Sequence, residues 1–248
     1  MSHNYMPSPG SAPLPSDEIS VSSQEMEDFV YIISHDVRNS VRALIELPQW
    51  IADDLAEAGV RVDGSVADSI ELMNKHTGRL DRMLVDLLTL SRVGRMQTVT
   101  QVSLDEVLTE VLDEMAIPPD FQIIRGLDCA TLTIGERDIL TLLNALISNA
   151  LKHHDTKAGK VVITSHKDKA DTVITVRDDG PGIPAKFRER VFSAMTTLVP
   201  RDEVEGSGMG LAITRKIATM YSGKVSILET AGQRGTTIEA RFPSTRMS

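Results

Sequence analysis

Three glycines at alternate positions, Gly206, Gly208 and Gly210, stand directly before an apolar segment with helical periodicity. Residues without side chains let backbone amides approach an anion closely, and the N-terminus of a helix adds a partial positive charge. The pattern therefore predicts a loop that holds phosphate groups. A glycine-rich loop before a helix occurs in many protein classes, so this prediction depends on residues elsewhere in the chain.

A second segment supplies an amide and a cation at a useful spacing. Asn149 and Lys152 are three residues apart on a predicted helix and therefore lie on one face. An amide oxygen suits a Mg²⁺ ion that also binds phosphate oxygens, and a lysine offsets phosphate charge. The alternative is that both residues simply cap or solvate the end of the helix.

A third segment places a carboxylate at the end of a strand. Asp178 follows an apolar run, and Gly180 and Gly182 come directly after it. A carboxylate in this position can accept a hydrogen bond from the exocyclic amine of adenine, and the glycines leave room for a flat base. The alternative is an ordinary turn, because Asp-Gly and Pro-Gly pairs form turns in many settings.

A histidine far upstream has the properties of a nucleophile. The heptad pattern that contains Val30 and Val37 predicts that His35 points away from the apolar seam. Its pKa near neutrality leaves a large neutral fraction. Asp36 can orient the ring and accept its proton, and Asn39 lies one turn further on the same face. The alternative is a surface histidine in a charged helix.

Long helices must position this histidine. Residues 24–58 and 70–87 repeat apolar side chains every seven positions, and the segment 58–64 separates them. A two-helix hairpin of this kind cannot bury its apolar stripe alone, so we expect it to dimerise into a four-helix bundle.

The rest of the chain has a different pattern. Strand-like and helical segments are mixed after about residue 98, which predicts an α/β sandwich with a mainly antiparallel sheet. The expected fold class is therefore α+β. We assign a disordered tail to 1–22, the dimerisation hairpin to 23–95 and the catalytic domain to 98–245.

The composition of the chain limits the classes of partner and the cellular compartment that we expect. The 248-residue chain has a formal net charge of −9 and one cysteine. The negative charge argues against nucleic acid, and the single cysteine fits a reducing compartment. No apolar run is long enough to cross a bilayer. We therefore expect a cytoplasmic protein with neither a membrane nor a nucleic-acid partner.

The segment SHDVRNSVRAL, residues 34–44, resembles the phosphoacceptor box of sensor histidine kinases of two-component systems. The resemblance implies that His35 accepts a phosphoryl group and that Asp36 activates it. It also implies that Asn39 supports hydrolysis of the phosphorylated partner. The family usually has a proline five residues after the histidine, and this chain has Ser40.

The downstream segments resemble the ATP-binding domain of the same kinases, which gyrase, chaperone and mismatch-repair ATPases share. The order of Asn149, 178–182 and 206–210 matches the N, G1 and G2 boxes, and the resemblance spans residues 25–242. The run PRDEVEGSGMGLA, residues 200–212, is especially close to kinases of the phytochrome-associated type.

This resemblance implies roles for individual residues. Asn149 is expected to bind Mg²⁺ and Asp178 to select adenine. Thr236 matches the threonine that assists adenine recognition, and His153 stands where the family usually has an aromatic residue near the nucleotide. Residues 193–205 are expected to form a mobile lid over the phosphates.

The implied activity is autophosphorylation of His35 by ATP with Mg²⁺. The phosphoryl group then passes to an aspartate of a response-regulator receiver domain, with phosphatase activity as a further option. The expected partners are a second copy of the chain, the regulator and a separate sensor protein. The alternatives are a histidine phosphotransfer protein without kinase activity, a conformational ATPase or serine kinase of the same superfamily, and a dimeric scaffold that binds no ATP.

Overall fold

The structure is a computed structural model that describes residues 16–95, 97–199, 206–229, 232 and 234–243. Side chains are described from residue 31 onward, except those at 34 and 35. The predicted tail at 1–15 and the lid residues 200–205 lie outside the described part of the chain.

Two long helices form the N-terminal hairpin, α1 at Ser16–Glu57 and α2 at Gly64–Arg92. Residues 16–22, which we predicted as disordered tail, belong to α1 instead. The prediction was wrong here because it gave weight to the high content of proline and serine and to the small number of large apolar residues.

The predicted break at 58–64 is the turn between these helices. The backbone N–H of Val60 donates to the Leu55 carbonyl at 2.9 Å, and Gly59 N–H donates to the Ala56 carbonyl at 3.0 Å. Gly59 has a φ of 72°. These bonds form a Schellman motif, in which a left-handed glycine satisfies the last carbonyls of a helix.

Helix α1 contacts α2 through a different stripe from the predicted seam. Val41 and Pro48 are buried between the two helices. The seam residues Val37, Leu44 and Ile51 are exposed in the single chain, with Leu44 46% exposed. A helix in a four-helix bundle needs two apolar stripes, one for its own hairpin and one for the second hairpin.

The second part of the chain mixes helices with strands. Its elements are β1 Val99–Ser103, α3 Leu104–Glu114, β2 Phe121–Leu127, β3 Thr131–Gly135, α4 Glu136–Lys152, β4 Gly159–Asp168, β5 Asp171–Asp178, α5 Gly210–Met220, β6 Lys224–Leu228 and β7 Thr237–Pro243. Two short 3-10 helices, Ala185–Phe187 and Arg190–Phe192, lie between β5 and α5.

Five strands form the main sheet in the order β2-β4-β5-β7-β6. The β2–β4 pair is parallel, and the other three pairs are antiparallel. Alternate residues such as Val161 and Ile163 on β4 and Ile174 and Val176 on β5 are buried in one core with α3, α4 and α5. One face of the sheet therefore packs against helices, which confirms the predicted α+β class with an α/β sandwich.

Strand β1 was not predicted from the sequence. Strand β1 pairs antiparallel with β3 in a separate two-stranded sheet. The Ser103 hydroxyl accepts a hydrogen bond from Glu106 N–H at 3.3 Å and so caps the start of α3. Among the described residues, no helix has both the length and the apolar character that crossing a bilayer requires.

Candidate nucleotide site

A cavity of about 970 Å³ lies between α2, α4, α5 and the loops after β5. Nine of the ten nucleotide residues expected from the sequence line it. The tenth, Gly180, lies behind the lining and donates its N–H to Asp178. The lining members of that set are Asn149, Lys152, His153, Asp178, Gly182, Gly206, Gly208, Gly210 and Thr236.

Two backbone amides hold the Asp178 carboxylate in one orientation. Its Oδ1 accepts from Gly180 N–H at 2.9 Å and from Thr236 N–H at 3.0 Å. The backbone N–H of Asp178 also donates to the Thr236 carbonyl at 3.0 Å. Burial raises the pKa of this carboxyl above its usual value, although the two amide bonds act in the opposite direction. Oδ2 takes no part in these two bonds and is the oxygen that can accept an amine.

The backbone of Gly235 packs closely against the backbone of Asp178. Its φ is 103°, and a Cβ at this position would lie 2.8 Å from the carbonyl carbon of Asp178. Gly182 has a φ of 80°, and its Cβ would lie 3.0 Å from the Gly235 carbonyl oxygen. Side chains would separate these three backbones, so the close packing requires glycine. Sequence reasoning did not single out Gly235, although it directly precedes Thr236.

His154 joins the end of α4 to the loop after β5. Its side chain is 3% exposed, and Nε2 lies 3.0 Å from Asp179 Oδ1. The other ring nitrogen, Nδ1, accepts the backbone N–H of Thr156 at 3.2 Å. The same carboxylate oxygen accepts Lys160 N–H at 2.7 Å, a bond that lowers the pKa of Asp179. Neither His154 nor Asp179 was predicted as a site residue. The available signal was that each directly follows an expected site residue, His153 and Asp178 respectively.

Arg234 makes a second link at the same end of the cavity. Its Nε donates to the Gly180 carbonyl at 3.1 Å, and its guanidinium pairs with Asp155. The segment before β7 is thereby connected both to the loop after β5 and to the residues that follow α4. These links and the His154 bonds fix the backbone around Asp178.

The three glycines of the predicted phosphate loop are not equivalent. Gly208 has a φ of 75°, and a Cβ there would lie 2.7 Å from the Thr196 carbonyl oxygen. A Cβ at Gly206 would meet nothing within 4 Å, and one at Gly210 would lie 3.7 Å from Ala145 Cβ, an ordinary contact. Steric packing therefore requires glycine at Gly208 among these three.

Ser207 connects this loop to the hairpin. Its hydroxyl donates to the Asp86 carboxylate on α2 and accepts the backbone N–H of Met209 at 3.0 Å. Ser207 is 7% exposed. Burial raises the pKa of Asp86, and the bond to Ser207 and the charges of Lys152 and Arg82 act in the opposite direction. Neither Ser207 nor Asp86 was predicted, because the two positions are far apart in the sequence.

The cavity reaches α2 at the level of the expected phosphoacceptor. The α2 residues that line it lie between 82 and 89. Arg38 pairs with Asp81 at 3.3 Å, and Arg92 donates to the Tyr31 hydroxyl at 3.1 Å. These two contacts bracket His35 along α1. The stretch of α2 that lies opposite His35 is therefore the stretch that closes the cavity.

The three expected catalytic residues lie on α1, and two of them, Asp36 and Asn39, do not line the cavity. The side chain of His35 lies outside the described part of the structure, so its outward orientation remains a prediction. Asp36 and Asn39 are exposed. Ser40, which replaces the usual proline, stays within the helix and donates its hydroxyl to the Asp36 carbonyl at 3.4 Å.

His153 lines the cavity next to Lys152. Desolvation by surrounding groups lowers the pKa of its imidazole below 6.5, and the charge of Lys152 lowers it further. The nearby Asp178 acts in the opposite direction. The ring is therefore mainly neutral at pH 7 and offers a flat, uncharged surface on this side of the cavity.

Comparison with known proteins identifies the domain that contains this cavity. Residues 135–246 match the family described as histidine kinase-, DNA gyrase B- and HSP90-like ATPases. The chain contains an ATPase domain of this family. The match begins at the last residue of β3 and includes α4, α5 and the strands β4 to β7.

Relatives of this chain include a phytochrome and a histidine kinase. Cyanobacterial phytochrome B of Nostoc sp. is 28% identical over 231 residues, which cover 88% of this chain and 30% of that protein. The methanogenesis regulatory histidine kinase FilI of Methanothrix harundinacea is 27% identical over 233 residues, covering 92% of this chain and 26% of that protein. The chain thus spans less than a third of the length of these relatives.

Solved histidine kinases share the fold. Full-length ShkA in complex with AMPPNP has a TM-score of 0.65 at 19% identity, covering 88% of this chain and 46% of that one. Histidine kinase ThkA in complex with response regulator protein TrrA has a TM-score of 0.63 at 21% identity, covering 92% and 66%. The resemblance includes both the helices and the ATPase domain.

Proposed function

We propose that this chain is a histidine kinase that transfers the γ-phosphoryl group of ATP to His35 and then to an aspartate of a response regulator. One observation carries the proposal. A single cavity gathers the expected ATP residues and is closed by α2 at the level of His35. An ATPase without a phosphoacceptor would not need its nucleotide cavity at this place on a helical hairpin.

The residues of the cavity fit an adenine nucleotide. Asp178 Oδ2 accepts the exocyclic amine of the base, and the neutral His153 packs beside it. Lys152 and the backbone amides of 206–210 hold the phosphates at the N-terminus of α5. The orientation of Asp178 by two amides supports this arrangement, because an oriented acceptor loses less conformational freedom when the base binds.

A magnesium ion fits the phosphate end of the cavity. The described residues contain no group of three histidines, cysteines or acidic residues that could hold a metal ion. We infer that Asn149 supplies an oxygen ligand and that the nucleotide phosphates supply others, as is usual for Mg²⁺. The ion would neutralise phosphate charge.

The chemistry at His35 is a phosphoryl transfer. The lone pair of one imidazole nitrogen attacks the γ-phosphorus, and the bond from that phosphorus to the β–γ bridging oxygen breaks. ADP leaves with the electron pair, and Asp36 accepts the proton from the other ring nitrogen. Catalysis depends mainly on positioning and charge neutralisation.

Two features support the proposed partners. The exposed apolar stripe on α1 supports a homodimer through a four-helix bundle. The likeness to a histidine kinase in complex with a response regulator supports a receiver domain as the acceptor. In this proposal Asn39 assists phosphatase activity and a separate sensor protein provides the input.

Incubation with γ-labelled ATP tests the proposal. The wild-type chain should gain an acid-labile label, and His35→Ala should lose it while still binding ATP. His76→Ala, an exposed histidine on α2, serves as the control. Label that persists in His35→Ala would contradict the assignment of the phosphoacceptor.

Other outcomes identify the alternatives. An acid-stable label indicates a serine kinase, and ATP hydrolysis without any label indicates a conformational ATPase. A chain that takes phosphate only from a phosphorylated regulator is a phosphotransfer protein. Adding candidate receiver domains to the labelled chain tests the second transfer.

A further inference from the structure

The contact between α2 and the phosphate loop joins two residues that are 121 positions apart. The hydroxyl of Ser207 donates to the Asp86 carboxylate. The same hydroxyl accepts the backbone N–H of Met209 just before α5, so the carboxylate holds the loop through one side chain. Both Asp86 and Ser207 line the proposed nucleotide cavity.

Asp86 also lies within electrostatic reach of Lys152. Lys152 is the cation that the proposed function assigns to the phosphates, and the loop amides are their other binding groups. The Asp86 carboxylate therefore interacts with both elements that a triphosphate would use. The hairpin contributes a negative charge to the part of the cavity that must accept a polyanion.

We propose that Asp86 is a further residue of the nucleotide site, supplied by the hairpin, that weakens binding in proportion to the number of phosphates on the ligand. This inference rests on the proposed ATP site. A triphosphate and the docked α2 compete for the phosphate loop and for Lys152. Binding of ATP therefore releases the loop from Asp86, whereas binding of adenosine leaves the contact in place.

Electrostatics gives the direction of this effect. Like charges in a partly buried cleft repel each other more strongly than they do in water, because solvent screens them less. Adenosine carries no charge, so the Asp86 carboxylate does not repel it. ADP and ATP carry increasing negative charge, so the penalty from Asp86 rises from the nucleoside to the triphosphate.

The substitution Asp86→Asn isolates the charge. The asparagine carbonyl still accepts from Ser207, so the contact between α2 and the loop is kept while the negative charge is removed. Asp68→Asn is the matched control, because Asp68 is an exposed aspartate on the same helix and does not line the cavity.

Binding titrations with adenosine, ADP and ATP in Mg²⁺ measure the effect. We expect Asp86→Asn to bind ATP about three to ten times more tightly than the wild type does. Its gain in affinity for ADP should be smaller, and its affinity for adenosine should equal that of the wild type. High salt should reduce the difference. The control variant should match the wild type with all three ligands.

Three results would overturn the inference. An equal gain for adenosine would indicate a wider cleft and not a removed charge. Unchanged or weaker ATP binding, with a lower autophosphorylation rate at saturating ATP, would make Asp86 a residue that positions the loop for transfer. If the wild type binds neither adenosine nor ATP, the proposed nucleotide site is itself wrong, and this inference fails with it.

Discussion

The Tyr221 hydroxyl donates a hydrogen bond to Asp138 Oδ2 at 2.7 Å and so joins the end of α5 to the first turn of α4. The same carboxylate oxygen accepts the backbone N–H of Gly94 at 2.9 Å, just after α2. The Tyr221 oxygen also accepts the backbone N–H of Gly135 at 3.1 Å. One buried carboxylate therefore connects the exit of the hairpin to two helices that border the nucleotide cavity.

We expect Tyr221→Phe to lower the stability of the ATPase domain. The change leaves the buried N–H of Gly135 without its acceptor and removes one donor from Asp138, at a cost of about 1–3 kcal/mol. Thermal unfolding measures the loss. Tyr31→Phe is the control, because its hydroxyl makes a surface contact with Arg92. An equal fall in melting temperature for both variants would contradict this role of Tyr221.

His154→Ala should destabilise the backbone around the proposed adenine site. The change removes the bonds to Asp179 and Thr156 and leaves a cavity, which together cost about 2–4 kcal/mol. Because Thr156 N–H donates to the ring, its amide should exchange with solvent faster than in the wild type. His166→Ala, on the exposed side of β4, is the control and should leave both measurements unchanged.

Local patterns predicted most of the fold. The period-seven helices and the strand that ends at Asp178 both depend on short-range sequence features. Strand β1 at Val99–Ser103 was missed because two polar residues separate its apolar positions, and because its partner β3 is distant in the sequence. The early start of α1 was missed because a polar, serine-containing segment resembles a tail.

The candidate site was predictable where its residues form contiguous motifs. Asp178 and Gly208 belong to such motifs and line the cavity. His154 and Gly235 were not predicted, because their importance arises from contacts across the sheet end. The Asp86–Ser207 contact was also beyond prediction, because it depends on how the ATPase domain packs against the hairpin.

Asp178→Asn should weaken nucleotide binding without lowering the stability of the fold. The asparagine oxygen still accepts the Gly180 and Thr236 amides, but its NH₂ group then faces the amine of adenine, so adenosine affinity should fall at least tenfold. Burial raises the folded-state pKa of Asp178, so the ionised carboxylate costs stability at neutral pH and that cost disappears as the pH falls through the folded-state pKa. The unliganded variant should therefore melt no lower than the wild type at pH 7.

The pH dependence gives an additional check on Asp178. Protonation of the carboxylate removes the acceptor, so adenosine binding to the wild type should weaken as the pH falls. Because the pKa of Asp178 is raised, this weakening should begin at a higher pH than it would for an ordinary aspartate, whose pKa is near 3.8. Asp128→Asn, an exposed aspartate in the loop after β2, serves as the control and should keep the wild-type profile. A profile for Asp178→Asn identical to that of the wild type would remove Asp178 from the site.

Gly235→Ala should abolish nucleotide binding because it displaces the backbone around Asp178. Its positive φ disfavours alanine, and the added Cβ would overlap the carbonyl group of Asp178. We expect a loss of stability of about 2–3 kcal/mol and no measurable adenosine binding. Gly78→Ala in the interior of α2 is the control, because its Cβ would meet Arg82 at 3.6 Å, an ordinary contact. That change should increase stability slightly, since alanine favours helix.

Leu44→Glu should convert a dimer into a monomer. Leu44 is 46% exposed in the single chain and lies on the stripe with Val37 and Ile51, so a charge there would be buried only if a second hairpin covers it. Light scattering after size-exclusion chromatography measures the mass at several protein concentrations. Val60→Glu is the control, because Val60 is 51% exposed but lies in the turn between the helices. If Leu44→Glu forms a dimer as stable as that of the wild type, the interface lies elsewhere, because the new charge then stays in contact with water.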